Sequence, residues 1–244
     1  AALLLLAGAG SGKTRALTHR VAYLIRESGV PPWRIMAVTF TNKAAAEMRE
    51  RLDVLLGQDK LPWVATFHAS CVRILRQEIE HLGYTRDFTI YDDQDQLRLL
   101  RDLLKERNIA ERELKPRALA VFIDNAKNRG LTPRACLEQG GDDPAVIELY
   151  RLYQQRMKQG NALDFGDLLL LTVQLLEEVA AVRTRWQERF AHLLIDEFQD
   201  TNRVQYRLMQ LLCGAQTHLC VVGDDDQSIY RWRGADVSNI LGFD

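Results

Sequence analysis

The 244 residues predict an α/β fold: a parallel sheet wound with helices, interrupted by an inserted all-helical domain. Three observations carry that prediction. Short apolar runs alternate with amphipathic helical patterns over the first part of the chain. The alternation stops between about Phe88 and Val179, where only helix-period patterns occur, and it resumes at Leu193.

Taken in order, Ala1 to Leu6 reads as a buried parallel strand, followed by a glycine-rich turn. Leu17, Val21, Leu24 and Ile25 then give one apolar helical face, with Gly29 suited to the end of that helix. Ile35 to Phe40 reads as a second strand, followed by a helix through Ala45, Met48, Leu52 and Leu55. Trp63 to Phe67 is a third strand, followed by a helix to about Leu82. In the central stretch Asp92 and Asp95 open a helix through Leu97, Leu100 and Leu104. Lys115-Pro116 starts another, with proline at a first-turn position where its missing N–H costs nothing. Asp142-Asp143-Pro144 starts a third, and Asp164 a fourth through Leu168, Leu171 and Leu175. Leu193 to Ile195 is again a strand, Val204 to Leu212 a helix, His218 to Val222 a strand, and a last helix starts at about Ala235. The pattern assigns 1–87 and 181–244 to one α/β domain and 88–180 to the helical insertion.

Composition narrows the class. Apolar residues make up 47% and charged residues 27%, values of an ordinary globular protein rather than a disordered or fibrous one. The longest apolar runs fall far short of the roughly 18 residues that span a bilayer. The net charge of −1 does not advertise a basic nucleic-acid module, yet it is unevenly spread: +4 over 1–87, −3 over 88–180 and −2 over 181–244. Cys71, Cys136, Cys213 and Cys220 form no CxxC pair and show no ligand spacing with the five histidines. They are expected to be free thiols of a cytoplasmic protein. The chain lacks an initiator Met and opens inside an apolar run, so it reads as truncated at the start.

The chemistry concentrates in three places. AGAGSGKT, Ala7 to Thr14, follows a strand and precedes a helix, the context of a phosphate-binding loop. Backbone N–H groups of Ala9, Gly10, Ser11 and Gly12 can converge on phosphate oxygens, Lys13 adds charge at the β/γ-phosphates, and Thr14 offers a hydroxyl to Mg²⁺. The helix N-terminus behind the loop adds its positive dipole end. Second, Leu193 to Glu197 ends a buried strand on two carboxylates, Asp196 to hold the metal and Glu197 to polarise water. Taken alone, that run would more often be a turn capping a helix at Thr201-Asn202. Asp196 follows Lys13 by 183 positions, more than a compact nucleotide-binding core needs, and the helical insertion accounts for the excess. Third, VVGDDDQSIYRWRGAD places Gln227 just beyond a strand expected beside that of Asp196, within reach of a γ-phosphate. Tyr230, Arg231, Trp232 and Arg233 crowd two aromatics and two guanidiniums into four positions, a combination suited to stacking on bases.

Together AGAGSGKT (7–14), TFTNKAAAEMRER (39–51), TFHA (66–69), LLIDEFQDTN (193–202) and VVGDDDQSIYRWRGA (221–235) resemble, in order and spacing, the successive motifs of the UvrD/Rep/PcrA helicases of superfamily 1. The resemblance implies a P-loop NTPase with a RecA-like motor domain (1A) and its helical insertion (1B). The activity it implies is an ATP-dependent motor that moves 3′ to 5′ on single-stranded DNA, unwinds duplex and serves DNA repair. ATP and Mg²⁺ are the implied cofactors; single-stranded DNA, single/double-strand junctions and repair proteins are the implied partners. By position, Lys13, Glu197 and Gln227 match catalytic residues, Thr14 and Asp196 metal ligands, and Arg15 a residue packing near the adenine. Phe40, Thr41, Asn42, Thr66, His68, Tyr230, Trp232 and Arg233 fall on DNA-contacting positions. On residue type alone, His68 and Phe40 would more often belong to a core. The family's glutamine motif precedes the phosphate loop and its second motor domain follows the Tyr-Arg-Trp-Arg-Gly-Ala segment; the chain contains neither. Two other readings remain at this point: the motor of a helicase-nuclease subunit, and a non-catalytic single-stranded DNA-binding module on a nucleotide fold.

Overall fold

A computed structural model describes residues 2–6, 12–57, 61–110 and 112–223. Five strands form one parallel sheet: β1 (Ala2–Leu6), β2 (Ile35–Thr39), β3 (Trp63–Thr66), β6 (His192–Ile195) and β7 (His218–Gly223), in the order β1-β7-β6-β2-β3. All four pairings are parallel, and the register sets Ile35 against His192, Leu193 against Leu219, and Leu6 against Gly223. Strands buried on both faces read as continuous apolar runs. β2 does so: each of its five residues is buried.

Helix α1 (Lys13–Arg26) follows Gly12, whose φ of 83° is a left-handed conformation that glycine adopts without a Cβ clash. At its far end the Val30 N–H returns to the Leu24 carbonyl at 2.9 Å across Gly29, which sits at φ 65°. Helix α2 (Asn42–Leu56) is capped by the Thr41 hydroxyl, which accepts from the Ala44 N–H. Leu17, Val21 and Leu24 of α1 and Ala45, Met48, Leu52 and Leu56 of α2 pack on alternate strand residues Ile35, Ala37, Val64, Leu194, Cys220 and Val222. The expected inward residue Leu55 is only half-buried, and Leu56 takes the core position. A 3.6-residue period allows either as the next step after Leu52, and the helix end at Gly57 favours the second.

Two strands stop one residue earlier than the sequence pattern predicts. Phe40 lies beyond β2, and Phe67 opens α3 (Phe67–Glu78) instead of ending β3. The Thr66 hydroxyl accepts from the Ala69 N–H at 3.2 Å, which draws the chain into the helical turn at that point. Helices α9 (Ala180–Arg189) and α10 (Arg203–Leu212) complete the described part of this unit. Asn202 and Gln205 form a reciprocal capping box at the start of α10. The helix expected from about Ala235 lies outside the described residues.

The chain divides into two compact units, Ala1–Ser70 with Leu176–Asp244, and Cys71–Leu175. The sequence pattern sets its changeovers at 87/88 and 180/181, where strand–helix alternation lapses; the compact units part inside α3 and inside α8 (Phe165–Glu178). The second unit is helical except for one parallel pair of two-residue strands, β4 (Thr89–Ile90) and β5 (Ala162–Leu163), too short to leave a period-two signal. Its helices are α4 (Asp93–Glu106), α5 (Pro116–Asn128), α6 (Pro133–Gln139), α7 (Pro144–Gln159) and most of α8. Each expected start is built as the sequence implies: Asp92 and Asp95 form a capping box, and Pro116 and Pro144 occupy first turns. At α8, Asp164 and Asp167 accept each other's backbone N–H at 2.8 and 3.2 Å.

Those two carboxylates enclose Lys127, which is fully buried, with Nζ 2.6 Å from Asp164 Oδ2 and 2.8 Å from Asp167 Oδ1. Tyr153 donates its hydroxyl to Asp164 and Gln154 its amide to Asp167. A Cβ on Gly166 would come within 2.7 Å of the Lys127 side chain, so only glycine leaves room for the lysine here. Burial penalises the Lys127 charge, but the two carboxylates hold its pKa above the ordinary value. Burial, then the neighbouring Asp164 charge, pushes Asp167 up to about 6. For Asp164 burial is outweighed by Lys127, and its pKa is lowered.

Removing the cation strands two acids in an apolar interior. Lys127→Met is expected to cost about 3–5 kcal/mol in denaturant unfolding; a loss below about 1 kcal/mol would show that the cluster is not held by charge. Asp167 gives a pH signature. Its folded pKa lies above the unfolded value of about 3.9, so its stabilising share is present below about pH 4 and lost as pH rises through about 6. Asp167→Asn should therefore gain on the wild type between about pH 4 and 6; melting temperatures that keep a constant difference over that range would contradict this.

Candidate functional site

Ligands of open α/β sheets gather beyond the carboxyl ends of the strands, and the residues singled out by sequence meet at that edge. Lys13 and Thr14 open α1, while Asp196 and Glu197 follow the last residue of β6. β7 lies between β1 and β6, as expected for the strand that leads toward Gln227. The Thr14 hydroxyl donates to Asp196 Oδ2 at 2.8 Å, across 182 positions of sequence.

Asp196 is 2% exposed. Burial raises its pKa, aided by the Glu197 charge and opposed by the Thr14 hydrogen bond, a backbone hydrogen bond and Lys13. A buried carboxylate raised in this way gains most from a cation. The donors suit Mg²⁺, a hard ion that takes one or two protein oxygens and leaves its other positions to phosphate and water.

Glu197 adopts φ 52°, ψ 45°, a left-handed conformation that a residue with a Cβ enters only at a cost of about 1–2 kcal/mol. Its N–H donates to Asp196 Oδ1 at 3.0 Å, and its Oε2 accepts from Gln199 Nε2 at 2.5 Å. The turn thus turns Glu197 away from the strand direction and holds it at both backbone and head group. Without that turn, successive side chains at a strand end would point to opposite faces.

A cleft of about 880 Å³ opens here, within the size range of small-ligand sites. One wall is Gly12, Lys13, Thr14 and Arg15 with Thr18 and His19; the other is the outer face of α2, Glu47, Glu50, Arg51, Val54 and Leu55. Glu197 also lines it. Gly12, Lys13, Thr14, Arg15 and Glu197, all expected, are therefore brought together with Asp196 at their back. Ala9, Gly10, Ser11 and Gln227 lie outside the described residues. The α2 wall was not anticipated, because a polar outward face is what any surface helix shows. Gln199 was missed as well, although it stands inside the quoted LLIDEFQDTN run.

The positions matched to DNA contact fall on a neighbouring stretch of the same edge. Thr39 of β2 is in register with Thr66 of β3, so Phe40, Thr41 and Asn42 stand beside Thr66 and His68. Phe40 packs edge-on against Phe67, centroids 5.4 Å apart. Phe40 and His68 are half-buried, Thr41 and Asn42 exposed, and Thr66 buried. The hydroxyls of Thr41 and Thr66 serve as helix caps. Tyr230, Trp232 and Arg233 lie outside the described residues.

Comparison with known proteins agrees with this geometry. A family model described as the UvrD/REP helicase N-terminal domain matches residues 1–244. The chain is 48% identical over 246 residues to the ATP-dependent DNA helicase PcrA of Bacillus subtilis, covering 99% of this chain and 33% of that protein. It is 47% identical over 245 residues to the ATP-dependent DNA helicase PcrA of Staphylococcus aureus, covering 99% of this chain and 34% of that protein. The chain thus spans about a third of the length of these curated relatives. With a RecA-like parallel sheet, a threonine at the start of α1 tied to a buried carboxylate and a match along its whole length, the chain belongs to the UvrD/REP helicase N-terminal domain family.

Proposed function

We propose that this chain is the ATP-binding part of an ATP-dependent DNA helicase that moves 3′ to 5′ along single-stranded DNA and serves repair. The observation that carries the reading is the Thr14–Asp196 hydrogen bond beside Glu197 at the mouth of the cleft. It joins phosphate loop, metal ligand and water-polarising acid in one site. The two domains expected from sequence, a motor domain 1A and a helical insertion 1B, belong to the same reading. So does a cytoplasmic location, with Cys71, Cys136, Cys213 and Cys220 all free. Among the described residues no helix is long and apolar enough to cross a membrane.

On this reading the residues divide the work as follows. Gly12 and the first turn of α1 present N–H donors to the phosphates, Lys13 neutralises β/γ charge, and Arg15 stands where the base would lie. Thr14 and Asp196 would hold Mg²⁺, which would supply positive charge against the charge developing on the phosphates. Glu197 orients and polarises the attacking water, and Gln227 senses the γ-phosphate. Phe40, Thr41, Asn42, Thr66, His68, Tyr230, Trp232 and Arg233 contact the strand. In the full motor ATP closes this domain on a second one, whose arginine completes the site. Lacking that arginine costs about 10³ to 10⁵ in rate, so the chain alone should bind nucleotide and hydrolyse it slowly.

Titration with a fluorescent ATP analogue tests the metal site. The wild type should bind more tightly with Mg²⁺ than without, and Asp196→Ala should remove the difference; equal affinity with and without Mg²⁺ in the wild type would refute the assignment. For DNA, Trp232→Ala should lower single-strand affinity by roughly 1–3 kcal/mol at fixed salt, the worth of one stacking aromatic. Superimposable isotherms would place Trp232 off the strand.

A further inference from the structure

Gln199 is 2% exposed and lies two residues beyond the acid assigned to water. Its Nε2 donates to Glu197 Oε2 at 2.5 Å. Only the NH₂ side of an amide can face a carboxylate, so this contact also fixes where its oxygen points. That oxygen faces Gly223 at the end of β7: a Cβ built there would stand 3.0 Å from Oε1, 3.5 Å from the Gln199 N and 3.6 Å from the Phe198 Cβ. Gly223 is not in the left-handed region, so alanine would be tolerated by the backbone, and the cost of a methyl would fall on Gln199.

An amide suits this position chemically. It donates to a carboxylate oxygen without having an acidic proton of its own to lose. It holds one of the two carboxylate oxygens, Oε2. The left-handed turn fixes the Glu197 backbone, and Gln199 fixes its head group.

We propose that Gln199 is the positioning residue for Glu197, and that Gly223 is the gap in β7 that lets it reach. This deepens the reading of Glu197 as the water-polarising acid and rests on it.

The contact is tested first without activity. In the ¹⁵N-labelled chain the Gln199 side-chain amide, assigned by its loss in Gln199→Leu, should move and exchange faster with solvent in Glu197→Ala. An amide unchanged by that substitution overturns the proposal. Function is then read from single-turnover hydrolysis of MgATP, with analogue affinity measured in parallel between pH 5.5 and 8.5. Gln199→Leu should lower the rate about 10- to 100-fold, the worth of a hydrogen bond to a charged group, with affinity within about twofold. Gln199→Glu is the sharper variant. When protonated at low pH its carboxyl can still donate to Glu197; once ionised it repels it. Its rate relative to wild type should therefore fall as pH rises, a profile that a merely structural role would not produce. Gly223→Ala should lower the rate and add nothing to Gln199→Leu. If Glu197→Gln slows hydrolysis while all Gln199 variants follow the wild type at every pH, the positioning role is wrong. If Glu197→Gln leaves the rate unchanged, the assignment of Glu197 fails first.

Discussion

One hydrogen bond, from the Thr14 hydroxyl to Asp196, states the constraint that the α/β unit is built to satisfy. Its partners are 182 positions apart and stand on different elements, the first turn of a helix and the end of a strand. Bringing them within 2.8 Å requires β6 to be threaded back into the sheet between β7 and β2, parallel to both. Parallel pairing leaves each crossover a dozen residues or more, so the chain can leave the sheet after β3 and return at β6 without breaking it. The apolar continuity of β2 and β6 and the glycine that opens α1 all serve that juxtaposition.

The second unit solves a different problem with the same elementary means. Its helices are joined by charge in their interior as well as by apolar contact: Lys127 from α5 meets Asp164 and Asp167 at the start of α8, and Tyr153 and Gln154 of α7 complete the hydrogen bonding. One cation against two acids is not neutral, which is why the pKa values of the acids part in opposite directions. The same two aspartates cap their own helix. The cap and the ion cluster thus use the same two carboxylates.

What was legible in the sequence is what local physics determines. Aspartate and proline at helix starts, the glycine of the phosphate loop and the apolar runs of β2 and β6 each report on a few neighbouring residues, and each is found where expected. The elements that escaped have weak local signals. Helix α6 is one turn or two behind Thr132-Pro133, and α9 buries only Val182 and Trp186, too few for a periodic stripe. The pair β4–β5 is made of two-residue strands whose existence depends on each other. The compact units part within α3 and α8 because a continuous helix carries no compositional break. In the candidate site, Lys13, Thr14, Asp196 and Glu197 could be named from sequence because a triphosphate and its metal would demand such groups, and the structure joins Thr14 to Asp196. Gln199 was not, since its meaning lies in two contacts, one of them with a glycine on another strand.

The near-zero net charge, at first sight unsuited to gripping a polyanion, has a structural counterpart at the β2–β3 edge. Two helices, α2 and α3, begin there side by side, each with a threonine hydroxyl spent on its cap. With both hydroxyls engaged as caps, the helix starts they define add backbone N–H groups and the positive ends of two dipoles to what these residues offer. On the proposed reading, a strand crossing this edge would be held by oriented backbone and by aromatic faces such as Phe40 rather than by a lysine–arginine field. Such contacts displace few counterions, so they weaken binding less steeply with salt than a phosphate-neutralising patch does.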